Sequence, residues 1–240
     1  MSDKKNETSS NLPVGEILQE AWDLFSKNIS MFLVVVVIGI VLYLLPAAIG
    51  WLGGAAFLGT GSLFALSGDT GVSMFSLGSL IGTLGLMMFV MILVVIFIST
   101  FYLSATNYAV FNVATGKKVE AWDNFKMGLK KFWIFLGMTV VVALIVGIGF
   151  MLLVIPGVIA AFFLCFSFYL LVAEDLTIGK AISRSFELVK KNWLLILVMM
   201  LILMAISMVL SWIPFINFIV TPLVSLFGTL VLAVIYKRIK

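Results

Sequence analysis

The chain has 240 residues, of which 63% are hydrophobic and 11% charged, and its formal net charge is +4. This composition excludes a soluble globular domain, because such domains are about half apolar and about a quarter charged. The chain has no histidine, one cysteine and no recognisable phosphate loop or nucleophile–base arrangement, so we expect no enzymatic activity, no metal site and no cofactor.

The positively charged residues fall in four short blocks, separated by long stretches with almost no charge. The blocks contain Lys4, Lys5 and Lys27; the five lysines from Lys117 to Lys131; Lys180, Arg184, Lys190 and Lys191; and Lys237, Arg238 and Lys240. About 20 apolar residues cross the hydrocarbon core of a bilayer, so each of the three gaps is predicted to hold two spans. Because Lys and Arg concentrate in cytoplasmic segments, we expect six spans with both termini in the cytoplasm.

The chain is predicted to begin with a disordered cytoplasmic tail at 1–12. A single membrane domain is predicted over 13–240. The first span is expected at 29–50, before an irregular glycine-rich connection that carries Asp69. The second span is expected at about 79–102, with helix continuing past Asn107 because no glycine or proline intervenes before Gly116.

The remaining four spans form two long apolar runs. The first, 132–173, is predicted to reverse at Pro156-Gly157, because proline cannot continue the preceding helix and glycine permits a tight turn. The second run, 193–236, is predicted to reverse near Pro214. The pair Ala143 and Gly147 has the small-residue spacing of close helix packing.

An internal repeat divides the domain into three parallel units at about 13–113, 117–174 and 177–236. Residues 20–25 match residues 120–125 at five of six positions, and the start of the third unit is a weaker match. Each unit begins with apolar residues at three- and four-residue spacing and polar residues opposite, which predicts an amphipathic helix at the cytoplasmic interface. The pattern is explained either by triplication of one unit or by convergence of three interfacial helices on similar residues.

Several residues near these interfacial helices are candidates for contact with the membrane. They are the tryptophans Trp22, Trp122 and Trp193, which suit the headgroup level, and the basic cluster Lys117, Lys118, Lys130 and Lys131. Near an anionic leaflet each lysine contributes about 1 kcal/mol of attraction. We therefore expect membrane lipids with anionic headgroups as partners, and no nucleic acid. The sequence leaves open whether the chain has a protein partner or forms a homo-oligomer.

Polar residues near the ends of two spans allow more than one interpretation. Glu174 and Asp175 either bind a cation or headgroup amine, or cap the next helix and pair with Arg184 or Lys180, which is the favoured interpretation. Thr177 is the expected N-cap of that next helix. Asn107 either lines a cavity, forms an interhelical hydrogen bond or faces water.

The stretch from Ile155-Pro156-Gly157 through Glu174-Asp175 and Arg184-Ser185 to Trp193 resembles the membrane domain attached to some bacterial glycerophosphoryl diester phosphodiesterases. It also resembles the stand-alone, YciC-like relatives of that domain, and residues 15–32 are similar too. The resemblance implies a six-span protein of the bacterial cytoplasmic (inner) membrane. In that group the hydrolase chemistry belongs to a separate soluble barrel that this sequence does not contain, so hydrolase activity is not expected.

Two functions fit the sequence. The first is a non-enzymatic membrane protein with a lipid-interacting, scaffolding or envelope-maintenance role, because three interfacial helices rich in lysine accompany no reactive cluster. The alternative is a transporter or exporter of a lipid or small amphiphile, with its site near Asn107 and the glycine-rich segment. Spans without ionisable residues argue against an ion-driven transporter.

Overall fold

The computed structural model describes residues 14–66, 74–118, 120–212 and 217–240. The ten elements in these ranges are all α-helices: α1 Val14–Lys27, α2 Ile29–Leu66, α3 Met74–Ala114, α4 Ala121–Lys130, α5 Phe132–Leu152, α6 Val154–Phe163, α7 Ser167–Ala173, α8 Ile178–Lys191, α9 Trp193–Ser211 and α10 Asn217–Ile239. A short helix followed by long apolar helices thus occurs three times. The predicted tail at 1–12, Asp69 and Pro214 lie outside the described residues.

Six helical stretches of the described chain are long and apolar enough to cross a membrane. They are Ile29–Trp51, Ile81–Ala114, Phe132–Leu152, Val154–Ala173, Trp193–Leu210 and Ile219–Ile239. The predicted all-α membrane fold with six spans is therefore confirmed. Helices satisfy their own backbone hydrogen bonds, which is why uncharged segments of this length adopt them in lipid.

The chain divides into two compact units. Unit 2 contains residues 37–99, and unit 1 contains the chain up to Val36 and from Thr100 onward. In unit 2, α2 and α3 approach each other at Gly50, where an added Cβ would lie 3.2 Å from the Cε of Met91. Apolar side chains of this unit, such as Val41 and Phe89, are exposed, which suits contact with lipid.

The core of unit 1 lies at one end of its spans, beside α1, α4 and α8. Fully buried side chains come from the short helices and from the nearest turns of the long ones, and include Ile17, Phe32, Phe135, Leu170, Ile196 and Ile235. Because the lysines and arginines also lie there, we call this the charged end. Side chains farther along the spans, such as Leu144 and Met204, are exposed.

Each short helix is joined to the following span by a single residue. Asn28, Lys131 and Asn192 occupy these junctions, and each accepts a backbone hydrogen bond from the residue four positions later. The side chains of Asn28 and Asn192 donate to the carbonyls of Leu24 and Leu188, at 2.8 and 3.2 Å. The first and third units therefore share the same junction, in agreement with their sequence match.

The reversal between α5 and α6 differs from the prediction. The break is at Leu153, whose backbone is extended, and Pro156 lies in the first turn of α6, where no N–H is needed. Gly157 is inside the helix and serves close packing, since a Cβ on Gly149 would lie 2.8 Å from the Cα of Gly157. The predicted close packing at Gly147 is wrong, because a Cβ there would meet nothing within 4 Å.

The predicted irregular connection after residue 50 is also partly wrong. Helix α2 continues through Leu66 despite its glycines, since a long apolar helix tolerates glycine where the alternative is unsatisfied backbone in lipid. Residues 67–73 of the predicted connection lie outside the described residues. The prediction that helix continues past Asn107 is confirmed, because α3 ends at Ala114.

The fourth span is interrupted between α6 and α7, which the sequence analysis missed. Ser185 of α8 lies against this break: its hydroxyl donates to the carbonyl of Phe163 at 2.7 Å and accepts from the N–H of Phe166 at 3.3 Å. A side chain inserted into a helix ladder kinks the helix. Ser185 thus fixes α8 to the span at the point where the span bends.

Candidate functional site

The three short helices each bury one face in unit 1 and expose another. Their buried residues are Ile17, Ala21 and Phe25 of α1, Asn124, Phe125 and Gly128 of α4, and Ala181, Ser185, Leu188 and Val189 of α8. The same helices expose Trp22, Trp122 and Phe186 at the edge of the buried face, at 58%, 62% and 47% of their surface. Large aromatic side chains on the outside of the charged end suit a layer of lipid headgroups better than water.

The predicted interfacial tryptophans therefore lie at one end of unit 1. Trp193 begins α9 and is also more than half exposed, beside the junction at Asn192. The ring of Trp22 stacks on Phe25 with centroids 6.1 Å apart and meets the edge of Phe227 at 6.2 Å. Trp22 is held in place by the core while its outer face stays free.

Helix α1 is held to the end of α10 by a network of ion pairs. Arg238 donates from two nitrogens to the same carboxylate oxygen of Glu20, at 2.6 and 3.0 Å, and from a third to Glu16 at 3.3 Å. Lys237 adds a longer contact of 3.6 Å to Glu20. A guanidinium that joins two carboxylates one helical turn apart fixes both position and rotation of α1.

Glu174 connects three elements at the charged end. Its carboxylate accepts a 2.6 Å hydrogen bond from the Tyr236 hydroxyl of α10 and lies 3.7 Å from the guanidinium of Arg184 on α8. Arg184 also pairs with Glu187 at 3.2 Å. The predicted pairing of Glu174 with Arg184 is confirmed, and Tyr236 is a partner that the sequence analysis missed.

Asp175 pairs with a residue that the sequence analysis did not consider for it. Its carboxylate lies 2.6 Å from the Nζ of Lys131, at the junction of α4 and α5, and among the described residues it forms no ion pair with Lys180. The hydrogen bond with Asp175 raises the pKa of Lys131. The pair's contribution to stability is therefore present at neutral pH and is lost in alkaline solution, as the pH rises through that raised pKa.

The backbone between α7 and α8 is shaped by two residues. Asp175 has a φ of 50°, in the left-handed region that Asp tolerates better than most residues. Thr177 occupies the N-cap position of α8 with extended backbone, as predicted, but its side chain makes no capping hydrogen bond. The chain therefore turns sharply before α8, which brings Ser185 and Arg184 back toward α6 and α7.

A row of buried polar side chains on α3 packs against α4. The Nδ2 of Asn112 donates to the Oδ1 of Asn124 at 2.7 Å, and the Ser104 hydroxyl donates to the carbonyl of Gly128 at 3.1 Å. Asn107 is also buried but bonds the carbonyl of Leu103 in its own helix, at 2.8 Å. Asn107 does not line the clefts of unit 1 described here, and its predicted interhelical bond is not seen among the described hydrogen bonds.

A cleft of about 650 Å³ opens at the charged end between α1, α3, α7 and α10. Its wall is mostly apolar and includes an aromatic series in which Tyr169 contacts Phe111 at 6.4 Å and Tyr236 at 5.6 Å between ring centroids. Its rim carries Lys237 and Lys240. The residues that line it are Leu24, Phe111, Val113, Ala114, Thr115, Gly116, Tyr169, Ala173, Ala233, Tyr236, Lys237 and Lys240.

The predicted basic cluster is divided between different environments. Lys117 lies beside the cleft, with its Nζ 5.6 Å from the centroid of the Phe111 ring, within the range of a cation–π contact. Lys118 and Lys130 are exposed, and no ion pair within the described ranges includes them. Lys131 is engaged with Asp175. The cluster thus presents free positive charge at the cleft and on the outer surface.

The chemistry of the charged end suits contact with an amphiphilic anion. Carboxylates at this end such as Glu20, Glu174 and Asp175 are paired with cations, and no group of three or more metal-ligating side chains occurs within the described ranges. An aromatic wall with a lysine rim matches a molecule that is apolar at one side and negatively charged at the other.

One family of known sequences is similar to part of the chain. The sequence model of a domain of unknown function (DUF7847) matches residues 132–238. This segment covers α5 to nearly the end of α10 and so includes the second and third pairs of spans. Comparison with curated proteins and with solved structures gave no match.

Proposed function

We propose that this protein is a non-enzymatic integral membrane protein that binds anionic lipids at its charged end, where it has a scaffolding or envelope-maintenance role. The observation that carries the proposal is the common design of α1, α4 and α8. Each buries one face in unit 1 and exposes an aromatic side chain at the edge of that face, and each carries exposed lysines such as Lys27, Lys130 and Lys191. Amphipathic helices with these residues lie in the plane of a membrane surface.

The charge distribution supports a place for this layer at the cytoplasmic leaflet. Cytoplasmic segments are rich in Lys and Arg, and the anionic lipids of that leaflet attract them by about 1 kcal/mol per residue. In this arrangement both termini lie in the cytoplasm. The likeness to bacterial membrane domains noted from Ile155 to Trp193 favours the bacterial cytoplasmic membrane.

The absence of histidine from the sequence and the pairing of Glu174 and Glu20 with cations support a role without catalysis. Glu174 accepts a 2.6 Å hydrogen bond from Tyr236, and Glu20 accepts one of 2.6 Å from Arg238, so each carboxylate is already engaged by α10. We therefore assign these carboxylates to the attachment of α1 and α8 to the spans.

The proposal is tested by reconstitution of the purified chain in vesicles of phosphatidylcholine with a minor share of phosphatidylglycerol. Extraction with a polymer that retains the neighbouring lipids should show enrichment of phosphatidylglycerol around the protein relative to the vesicle. Substitution of Lys118 and Lys130 by Gln should reduce the enrichment, because these lysines are exposed. Equal lipid composition around the protein and in the vesicle, with no copurifying protein, would contradict the proposal.

A second function, transport or export of a lipid or small amphiphile, is favoured by a groove of about 400 Å³ between α9 and α10. This groove combines apolar side chains with hydroxyl groups inside the spans. The hydroxyls of Ser207 and Thr229 donate to carbonyls of their own helices, at 2.8 and 3.0 Å, so they are held in place. Movement of a fluorescent lipid between leaflets of protein-containing vesicles, at a rate above that of empty vesicles, would support this alternative.

A further inference from the structure

We infer that the cleft between α1, α3, α7 and α10 binds one anionic phospholipid, with its phosphate near Lys117, Lys237 and Lys240 and its glycerol and upper acyl chains against the aromatic wall. This inference deepens the proposed function and rests on it. The proposed function requires only a general attraction of anionic lipid to the charged end, whereas the cleft predicts a single site with named residues.

The size of the cleft fits this ligand. Small-molecule sites in proteins have volumes of about 300–1,000 Å³ and are mostly apolar with a few polar groups, and the cleft has about 650 Å³. The rings of Phe111 and Tyr169 form part of its wall. Such a wall has nothing to offer a free phosphate ion, but it can cover the apolar part of a lipid.

The charge of its lining residues distinguishes this cleft from two other clefts of unit 1. No acidic side chain occurs among its described lining residues. In contrast, a cleft of about 450 Å³ beside α1 is lined by Glu16, Glu20 and Asp23 together with two cations. A third, of about 290 Å³ beside α8, is lined by equal numbers of acids and bases. Among these three clefts of unit 1, only this one combines positive charge with an apolar wall.

Two of the three lysines make no ion pair within the described part of the chain. Lys117 and Lys240 instead lie over aromatic rings of the cleft, with Nζ atoms 5.6 Å from the centroid of Phe111 and 5.5 Å from that of Tyr236. The contact of Lys237 with Glu20 is 3.6 Å long and exposed, so it is a weak competitor. All three ammonium groups are therefore available to a phosphate.

The end of α3 places Lys117 at the cleft. Gly116 has a φ of 72°. Its N–H donates to the carbonyl of Val113 at 3.1 Å, and the N–H of Lys117 donates to the carbonyl of Asn112 at 2.8 Å. This is a Schellman motif, which reverses the chain and satisfies carbonyls at the helix end. Satisfied carbonyls repel an anion less, and the reversal brings Lys117 back over Phe111.

The test is a titration of the purified full-length chain with phosphatidylglycerol or phosphatidylcholine, with bound lipids counted by native mass spectrometry. The cleft variant Lys117→Gln/Lys240→Gln is compared with Lys190→Gln/Lys191→Gln, which removes the same charge from exposed positions at the end of α8. Wild type should bind one phosphatidylglycerol more tightly than further copies. The cleft variant should weaken that first binding step by about tenfold or more, and the control by much less.

Ala114→Phe provides a test that leaves the charge unchanged. Ala114 lines the cleft at the end of α3, and a phenyl group there should fill part of the space and weaken the first binding step. Retained helix content and a single species in size-exclusion chromatography show that the variant is folded. Undiminished binding of the first phosphatidylglycerol to this folded variant would overturn the site.

The remaining outcomes separate the two proposals. Equal weakening in both lysine pairs overturns the cleft site but agrees with the general lipid attraction of the proposed function. No preference for phosphatidylglycerol over phosphatidylcholine in wild type overturns both. Glycerol phosphate is added as a soluble competitor. If it displaces the first lipid as effectively as phosphatidylglycerol does, the cleft recognises a soluble phosphate, and the lipid site is contradicted.

Discussion

Tyr236, near the end of α10, donates a 2.6 Å hydrogen bond to a carboxylate oxygen of Glu174, which follows α7 in the chain. Tyr236 is buried and the Glu174 side chain is 19% exposed, so the bond is shielded from water. Glu174 also faces Arg184 on α8. One carboxylate thus joins the fourth span, the sixth span and the short helix α8 at the charged end.

The first prediction concerns this bond. Tyr236→Phe should lower the free energy of unfolding by about 1.5–3 kcal/mol, as expected for a hydrogen bond to a charged group. Thermal unfolding in detergent is compared for Tyr236→Phe, Glu174→Gln and the double variant. The two substitutions should be strongly non-additive, since they remove the same contact. Additive effects would show that the two side chains act independently.

The second prediction concerns the attachment of α8 to the bent fourth span. Ser185→Ala leaves the carbonyl of Phe163 and the N–H of Phe166 without their side-chain partner in a buried region. The expected loss of stability is about 1–3 kcal/mol, the cost of buried polar groups left unpaired. Hydrogen exchange should increase selectively in the peptide that covers residues 163–170.

The matched control for Ser185 is Ser183→Ala. Ser183 lies on the same helix two residues earlier and is exposed, so its loss should change stability by less than about 0.5 kcal/mol. Equal effects of the two substitutions would mean that the hydroxyl of Ser185 does not hold α8 to the span.

The third prediction uses two glycines of α5 that lie two residues apart. Gly149→Ala places a Cβ 2.8 Å from the Cα of Gly157, and because that Cα belongs to tightly packed backbone, α5 and α6 must separate. Gly147→Ala adds the same methyl group where nothing lies within 4 Å. The melting temperature should fall clearly for Gly149→Ala and stay the same or rise for Gly147→Ala. The opposite order would contradict the observed packing.

The extent of the spans could be predicted from the sequence, because hydrophobicity and charge act locally along a chain. An apolar run without charges has few alternatives to a spanning helix, so 132–173 and 193–236 were recognised as span pairs. Asn28 and Asn192 follow the short helices of the first and third units at equivalent positions, and their side chains form the same hydrogen bonds. These features depend on nearest neighbours in sequence.

Features that depend on which helices meet could not be predicted in the same way. The sequence shows Ser185 only as a small polar residue, and it takes the position of α6 to show that its hydroxyl enters a helix ladder. The pairing of Asp175 with Lys131 joins residues 44 positions apart. The cleft likewise requires four helices to converge, and no single segment contains a pattern for it.

The fourth prediction concerns Arg238, which holds α1 against α10. Arg238→Lys retains the charge but removes the planar group that reaches both Glu20 and Glu16. Helix α1 should detach more often, which can be measured as faster proteolysis after Lys27 by a lysine-specific protease. Lys237→Gln is the control, since its 3.6 Å contact is long and exposed. Equal cleavage in Arg238→Lys and wild type would show that the apolar face of α1 suffices to hold it.

The fifth prediction concerns orientation in the membrane. Two variants are made in a Cys165→Ala background, each with one cysteine. In one variant the cysteine replaces Leu153, in the break between α5 and α6, and in the other it replaces Lys118, at the charged end. Both positions are exposed. Because Lys and Arg are retained in the cytoplasm, a membrane-impermeant maleimide added to bacterial spheroplasts should label the cysteine at 153. It should label the cysteine at 118 only after the membrane is permeabilised. Labelling of position 118 in intact spheroplasts would place the charged end outside the cell, where the anionic cytoplasmic leaflet could not be its partner.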